Sequence, residues 1–324
     1  MSERPPINTI VHGDTLSVLR TLPDNYIQCC VSSPPYFGLR SYLPDGHPDK
    51  HLEIGLEETP TEYIEKLVQV FREVRRVLKN NGVCWLNLGD CYAGSGKGGG
   101  GSYALDKMTY AEGLAVPLTS GFKSKDLMMI PARVAIALCA DGWYLRQDCI
   151  WNKTNAMPES VTDRPTTAHE HIFLLAKNER YFYDADAIAE IALQKRGIPR
   201  ATPQHKRAHL QSLKTSTLGT HQGYEQKNAR SVWMVPTQAF SEAHFAVMPP
   251  KLVEPCILAG SRPGDIVLDP FMGSGTVAMV ALQHNRNYLG IELNSDYIAL
   301  AQKRIAVIQP NLWSANMESD GGAA

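Results

Sequence analysis

Short apolar runs alternate with longer amphipathic stretches along this chain, and several of the runs stop at Ser, Asp or Gly. Ile27–Val31 has the length and character of a buried strand and is followed by Ser33-Pro34-Pro35-Tyr36. From Glu62 to Leu78, charges alternate with Ile64, Leu67, Val68, Phe71, Val74 and Leu78 at helical spacing. That spacing predicts a helix ended by Gly82, with Val83–Leu88 as the next strand. The same reading gives helices over Thr15–Leu22 and Leu127–Ala140, and strands over Trp143–Trp151 and Ile172–Ala176. Further on, Ile266–Leu268 forms a short strand, Thr276–Gln283 a helix and Asn287–Ile291 another strand. Helices interleaved with short apolar strands indicate an α/β sheet. With 324 residues and no internal repeat, the chain holds one large or two small domains.

Two strand ends carry the candidate chemistry. In Val31–Phe37, VSSPPYF, consecutive prolines lack amide donors and restrict the residues before them, so the segment leaves the sheet as a stiff, extended turn. The carbonyls of Ser33 and Pro34 are then free to point at something outside the strand. A hydroxyl, a rigid carbonyl and an aromatic face within four residues suit a planar group bearing an amino substituent. A nucleobase is such a group; a merely stiff loop is the alternative. Open α/β sheets bind ligands at this end of their strands.

The second strand end is Asp265–Thr276, DIVLDPFMGSGT. Asp269-Pro270 closes the strand, Phe271 follows, and Gly273-Ser274-Gly275 leads into the helix at Thr276. Such a turn lets a ligand approach the backbone closely, and the helix start offers free amides. Glu292 ends the next strand about twenty residues on, where a carboxylate commonly accepts from ribose hydroxyls. The loop lacks a Walker-type Gly-Lys-Ser/Thr ending, and Asp269 sits near where a pyrophosphate would lie. A dinucleotide has only two glycines in its favour. A positively charged nucleoside cofactor without phosphate fits both carboxylates better, and S-adenosyl-L-methionine is that kind of molecule.

On these two motifs the chain resembles the β-class amino DNA methyltransferases, the cytosine-N4 and adenine-N6 family, in which the catalytic motif precedes the cofactor loop. The resemblance runs roughly from Ile7 to Ile308. It implies a Rossmann-like S-adenosylmethionine-dependent methyltransferase fold, an α/β architecture with a mixed, mostly parallel sheet and a small inserted target-recognition region. It makes Ser33, Pro34, Pro35 and Tyr36 catalytic, with Phe37 a helper to Tyr36 in stacking on a flipped-out base. It assigns the cofactor to Asp269, Pro270, Phe271, Gly273, Ser274, Gly275, Thr276 and Glu292, and adds Asp14 of Gly13-Asp14 and Phe245 of His244-Phe245-Ala246. Asp14 also suits the N-cap of Thr15–Leu22, and the two roles are compatible. Trp151-Asn152-Lys153 resembles a strand-end element lining the base pocket, which places Lys153 near DNA. The implied parts are a catalytic half over 1–184, a target-recognition region over 185–230, a cofactor-binding half over 231–312 and a disordered tail over 313–324. Serine in the first motif position goes more often with cytosine N4 in this family, and aspartate with adenine N6. Adenine N6 is the nearest alternative. A protein glutamine methyltransferase, whose motif is Asn-Pro-Pro-Tyr, and a non-catalytic DNA-binding module are more distant ones.

A net charge of −1 is unexpected for a protein that meets DNA, but its distribution answers the objection. The interval 191–230 carries Lys195, Arg196, Arg200, Lys206, Arg207, Lys214, Lys227 and Arg230 against Glu225 alone, a local net of +7. Rich in Gln, Ser and Thr, it cannot bury a core of its own and is either a solvated linker or a surface that attracts phosphate and reads base edges; the latter fits the family's order. Gly94–Gly101, with the residues up to 124, reads as a mobile loop with positive character. No apolar run approaches the roughly 18 residues that span a bilayer, and MSERPPINTI has no signal-peptide core, so a cytoplasmic protein without membrane contact is expected. Seven scattered cysteines form no Cys-x-x-Cys pair, so neither a zinc site nor a disulfide framework is indicated. His169-Glu170-His171 looks like a metal triplet, but on a strand Glu170 points away from the two histidines, and a structural use is favoured. No nuclease pattern is present, so any restriction endonuclease is expected as a separate polypeptide.

Overall fold

The computed structural model describes residues 6–94, 121–191, 226–238 and 247–308. In chain order the elements are β1 (Thr9–His12), α1 (Thr15–Thr21), β2 (Ile27–Ser32), α2 (Pro60–Val77), β3 (Leu78–Leu88), α3 (Ile130–Ala140), β4 (Tyr144–Asn152) and β5 (His169–Ala176). They continue with β6 (Glu190–Ile191), β7 (Gln226–Lys227), β8 (Val232–Met234), α4 (Pro250–Gly260), β9 (Ile266–Asp269), α5 (Thr276–Gln283), β10 (Asn287–Glu292) and α6 (Ser295–Ala306). Contacts divide the chain into two units, Met1–Asp184 with Ser231–Ala324, and Ala185–Arg230. In the smaller unit β6 pairs antiparallel with β7, and Glu190 holds Lys227 at 3.2 Å and Arg230 at 2.9 Å.

The larger unit is built on an eight-stranded sheet in the order β1-β10-β9-β2-β3-β5-β4-β8. Pairing is parallel from β1 through β3, antiparallel on both sides of β5, and parallel again between β4 and β8. Every residue of β2 is buried, as expected of a central parallel strand covered on both faces. Helix α2 shows why the amphipathic pattern was readable: Tyr63, Leu67, Val70, Phe71, Val74 and Val77 line its buried face. A capping box formed by Thr59 and Glu62, with Pro60 in the first turn, starts it.

Among the boundaries that differ from the sequence expectation, two have a clear physical cause. The α2 helix ends at Val77, where Leu78 turns extended (φ −65°, ψ 141°), and Gly82 lies inside β3 rather than at a helix end. A Cβ on Gly82 would stand 3.0 Å from the carbonyl oxygens of Gln28 and Lys79, so glycine there permits a close backbone approach. The α3 helix starts at Ile130, not Leu127, because Met129 adopts a left-handed φ of 55° just before it. The loop expected from 94 to 124 lies almost wholly outside the described residues, as does the tail.

Candidate active site

The carboxyl ends of β2, β3, β9 and β10 open onto one cleft of about 1020 Å³, lined from both motifs. Ser33, Pro34, Pro35 and Tyr36 line it from β2, Asp269, Pro270, Phe271 and Gly273 from β9, and Glu292 from β10. A single hydrogen bond joins the two motifs: the Ser32 hydroxyl donates to Asp269 Oδ1 at 2.7 Å, both side chains being buried. The N-terminus of α1 is tied to the same loop, since Thr15 Oγ1 donates to the Pro270 carbonyl at 2.7 Å. Asp14 caps that helix by accepting from the Ser17 amide at 2.8 Å, as expected of the N-cap, and also lines the cleft.

On the β9–β10 side the cleft is acidic. Asp269 also accepts from the Phe271 amide at 3.0 Å; burial pushes its carboxyl up to about 7, against the pull of the Ser32 hydroxyl and that amide. Glu292 accepts from the Gly273 amide at 2.7 Å and the Asn294 amide at 2.9 Å; burial raises its pKa too, with those amides opposing. A buried carboxyl, Asp269, and a half-buried one, Glu292, beside an open turn with Gly273 at φ 49° suit a cationic ligand better than a phosphate. Ser274 and Thr276 line the cleft, but Arg304 donates to the Ser274 hydroxyl at 2.6 Å and to Thr276 Oγ1 at 3.3 Å. Gly275 does not face the ligand space: at φ 80°, a Cβ there would stand 2.8 Å from the Ala301 Cβ, so its role is to let α6 close on the loop. This corrects its expected place among cofactor contacts.

On the β2–β3 side the proline turn is braced. The Tyr63 hydroxyl donates to the Pro35 carbonyl at 2.9 Å, whereas among the described residues nothing donates to the Pro34 carbonyl. The Tyr36 ring lies against Gly89, where a Cβ would meet it at 2.7 Å. The Tyr36 hydroxyl donates to Glu170 Oε2 at 2.6 Å and accepts from Asn87 Nδ2 at 2.6 Å and from Ser33 Oγ at 3.2 Å. Burial, then the charge of Glu170, raise the phenol pKa well above its ordinary value and keep it protonated. Lys153 pairs with Glu170, stands 4.9 Å from the centre of the Trp151 ring and lines the cleft.

Phe37 does not fit its expected part. It is 2% exposed and packs on Tyr63 with ring centres 5.5 Å apart, so it belongs to the core and cannot stack on a base. After two prolines the strand alternation no longer tells which way the next side chains turn. Sequence reasoning missed Glu170 and Asn87; the available signal was that Glu170 faces away from His169 and His171, toward the strand end where Tyr36 lies. Phe245, Arg196, Arg200, Lys206, Arg207 and Lys214 lie outside the described residues, and Lys227 is engaged by Glu190. Among the described residues no cluster of His, Cys, Asp or Glu could hold a metal ion, and no helix is long and apolar enough to cross a membrane.

Comparison with known proteins agrees with this geometry. The family model described as DNA methylase matches residues 27–303. The type II methyltransferase M.Cfr9I of Citrobacter freundii is 46% identical over 299 residues, covering 92% of this chain and 87% of that protein. Among solved structures, the PvuII DNA methyltransferase (cytosine-N4-specific) superposes with a TM-score of 0.61 at 18% identity, over 92% of this chain and 86% of that one. The M1.HpyAVI-SAM complex does so with a TM-score of 0.52 at 18% identity, over 92% and 98%. The chain belongs to the DNA methylase family, as an amino-directed methyltransferase of the N4/N6 class.

Proposed function

We propose that this protein is a type II methyltransferase that uses S-adenosyl-L-methionine to methylate the exocyclic amine of a flipped-out base in double-stranded DNA, with cytosine N4 as the target. The observation that carries this reading is the Ser32–Asp269 hydrogen bond at 2.7 Å, which brings the proline turn and the acidic glycine loop to one cleft. Ser33 at the first motif position favours cytosine N4 over adenine N6. A relative that is 46% identical and named as a type II methyltransferase supports this reading; a cytoplasmic place of action, with any cognate endonuclease a separate chain, goes with it.

The bound cofactor supplies an electrophilic methyl on a sulfonium. This chain's own residues must hold the amine. An amine conjugated to an aromatic ring is a weak nucleophile because its lone pair is delocalised. Holding its two hydrogens on the Ser33 hydroxyl and the Pro34 carbonyl frees that lone pair and aims it, so positioning replaces a strong base. The Tyr36 ring, fixed by Gly89 and Tyr63's grip on the turn, offers the face on which the extruded base stacks.

The test is transfer of labelled methyl to DNA of known sequence, followed by digestion to nucleosides and identification by mass. N4-methylcytosine is the expected product; N6-methyladenine would overturn the choice of base, and no labelled DNA the whole reading. Ser33→Ala is expected to slow transfer by about 100-fold or more while leaving cofactor affinity nearly unchanged. Wild-type rates in that variant would remove the role of Ser33.

A further inference from the structure

We propose that Glu170 is a positioning residue that sets the direction of hydrogen bonding through Tyr36 to Ser33, so that the Ser33 hydroxyl meets the target amine only as an acceptor. This rests on the reading of the cleft as an amine methylation site.

The chain of donors follows from Glu170 outward. Its carboxylate is paired with Lys153 and has only lone pairs to offer. The hydrogen it shares with Tyr36 at 2.6 Å is therefore the phenol's own. With that hydrogen given away, the Tyr36 oxygen can only accept, and it accepts from Asn87 Nδ2 at 2.6 Å and from Ser33 Oγ at 3.2 Å. The Ser33 hydrogen is thus directed inward; Asn87 Nδ2 also approaches Ser33 Oγ as a long donor at 3.4 Å, and the remaining lone pair of Ser33 is left to face the cleft.

Direction matters because a serine hydroxyl is a free rotor that can donate as readily as accept. Donation to the amine nitrogen would occupy the lone pair that must attack the methyl. Acceptance from its N–H pushes electron density onto the same nitrogen. Asn87 reinforces the choice: Nδ2 also donates to Glu170 Oε2 at 2.8 Å, while Oδ1 is buried with no partner among the described residues. Turning the amide over would set that oxygen against two acceptors. In a buried network such an arrangement holds each member strongly. Lys153 just after β4 and Tyr36 from the turn after β2 are the titratable groups that contact Glu170; Asn87 from β3 is neutral, and His169 and His171 lie on the other face of β5.

The experiment is single-turnover methyl transfer from labelled S-adenosyl-L-methionine to plasmid DNA from a host without DNA methylation, with cofactor affinity measured by calorimetry. Wild type, Glu170→Gln, Tyr36→Phe and the double variant are compared. Glutamine keeps the shape but can donate to Tyr36, so the rate is expected to fall by about 100-fold with cofactor affinity held within about twofold. The double variant should be no slower than Tyr36→Phe alone, because both cut one chain. A Gln variant within about threefold of wild type, or effects that multiply in the double variant, would overturn the proposal. If Glu170→Gln no longer binds cofactor, Tyr36→Phe decides, and a rate within about threefold of wild type rejects the chain. If wild type binds cofactor but labels no DNA, the methyltransferase reading falls and this inference with it.

Discussion

Asp269 joins the two motifs and carries the most perturbed carboxyl of the acidic side, pushed up to about 7 from an ordinary 3.8 by burial. In the empty protein the folded state therefore holds a proton that the unfolded chain releases. Below about pH 3.8 both states are protonated and the group contributes nothing; as pH rises toward 7 the unfolded chain ionises first and stability falls, then levels off. Asp269→Asn should accordingly raise the melting temperature of the empty protein more at about pH 8 than at about pH 4.5. A cationic ligand reverses the preference by favouring the carboxylate. Wild-type affinity for S-adenosyl-L-methionine should rise through about pH 7 with proton release, and calorimetry in buffers of different ionisation enthalpy should find neither effect in the Asn variant. Residues of this kind were legible because each motif is local: Ser33, Tyr36, Asp269 and Glu292 all sit where a strand run stops. Glu170 and Asn87 were not, since Glu170 meets Tyr36 across 134 residues and Asn87 across 83, separations that no spacing rule spans.

Among the elements, the turn between β9 and α5 uses its two glycines for different ends. Gly275 allows α6 to approach, with Ala301 2.8 Å from where a Cβ would be, while a Cβ on Gly273 would meet only the Phe271 carbonyl at 3.9 Å. Both hold left-handed φ values, 80° and 49°. Gly275→Ala should therefore combine backbone strain with overpacking and destabilise the fold by about 3 kcal/mol, seen in denaturant melts with or without cofactor. Gly273→Ala should cost only about 1 kcal/mol of strain and show its main effect as weaker cofactor binding, because its amide holds Glu292. Equal losses of stability in the two variants would contradict this division. The turn itself was readable from its Gly-x-Gly spacing, but the division was not, because it depends on α6 packing from further along the chain. Helix α2 was readable for the opposite reason: its apolar face repeats over 18 residues, so a misplaced end at Gly82 did not disturb the assignment.

At the scale of the molecule, alternating helices and strands pointed to an α/β sheet, but the strand order did not follow from them. Edge strand β1 reaches its place only by pairing with β10, joining Thr9 to Leu289, and β8 is three residues long. Charge distribution was readable at this scale without any structure. The chain as a whole carries −1 and the interval 191–230 carries +7, so the remainder is at −8. If the interval is the target-recognition region proposed from the sequence, a DNA polyanion is expected to be attracted by it more than by the rest of the chain, and the interval is expected to be the main source of counterion release on binding. Replacing Arg196, Arg200, Lys206, Arg207 and Lys214 with glutamine removes five charges. At about 0.9 ions per contact, the slope of log affinity against log salt should shrink by up to about 4.5. Affinity should fall most at low salt, and the two proteins should converge as salt rises and screens the difference. Cofactor affinity should not change, because its expected contacts lie in the other unit. Fluorescence anisotropy with a labelled duplex across a salt series measures the slope directly. An unchanged slope would mean that these five side chains do not meet phosphate, and would move the DNA-binding surface to the rim of the cleft, where Lys153 and Arg164 stand.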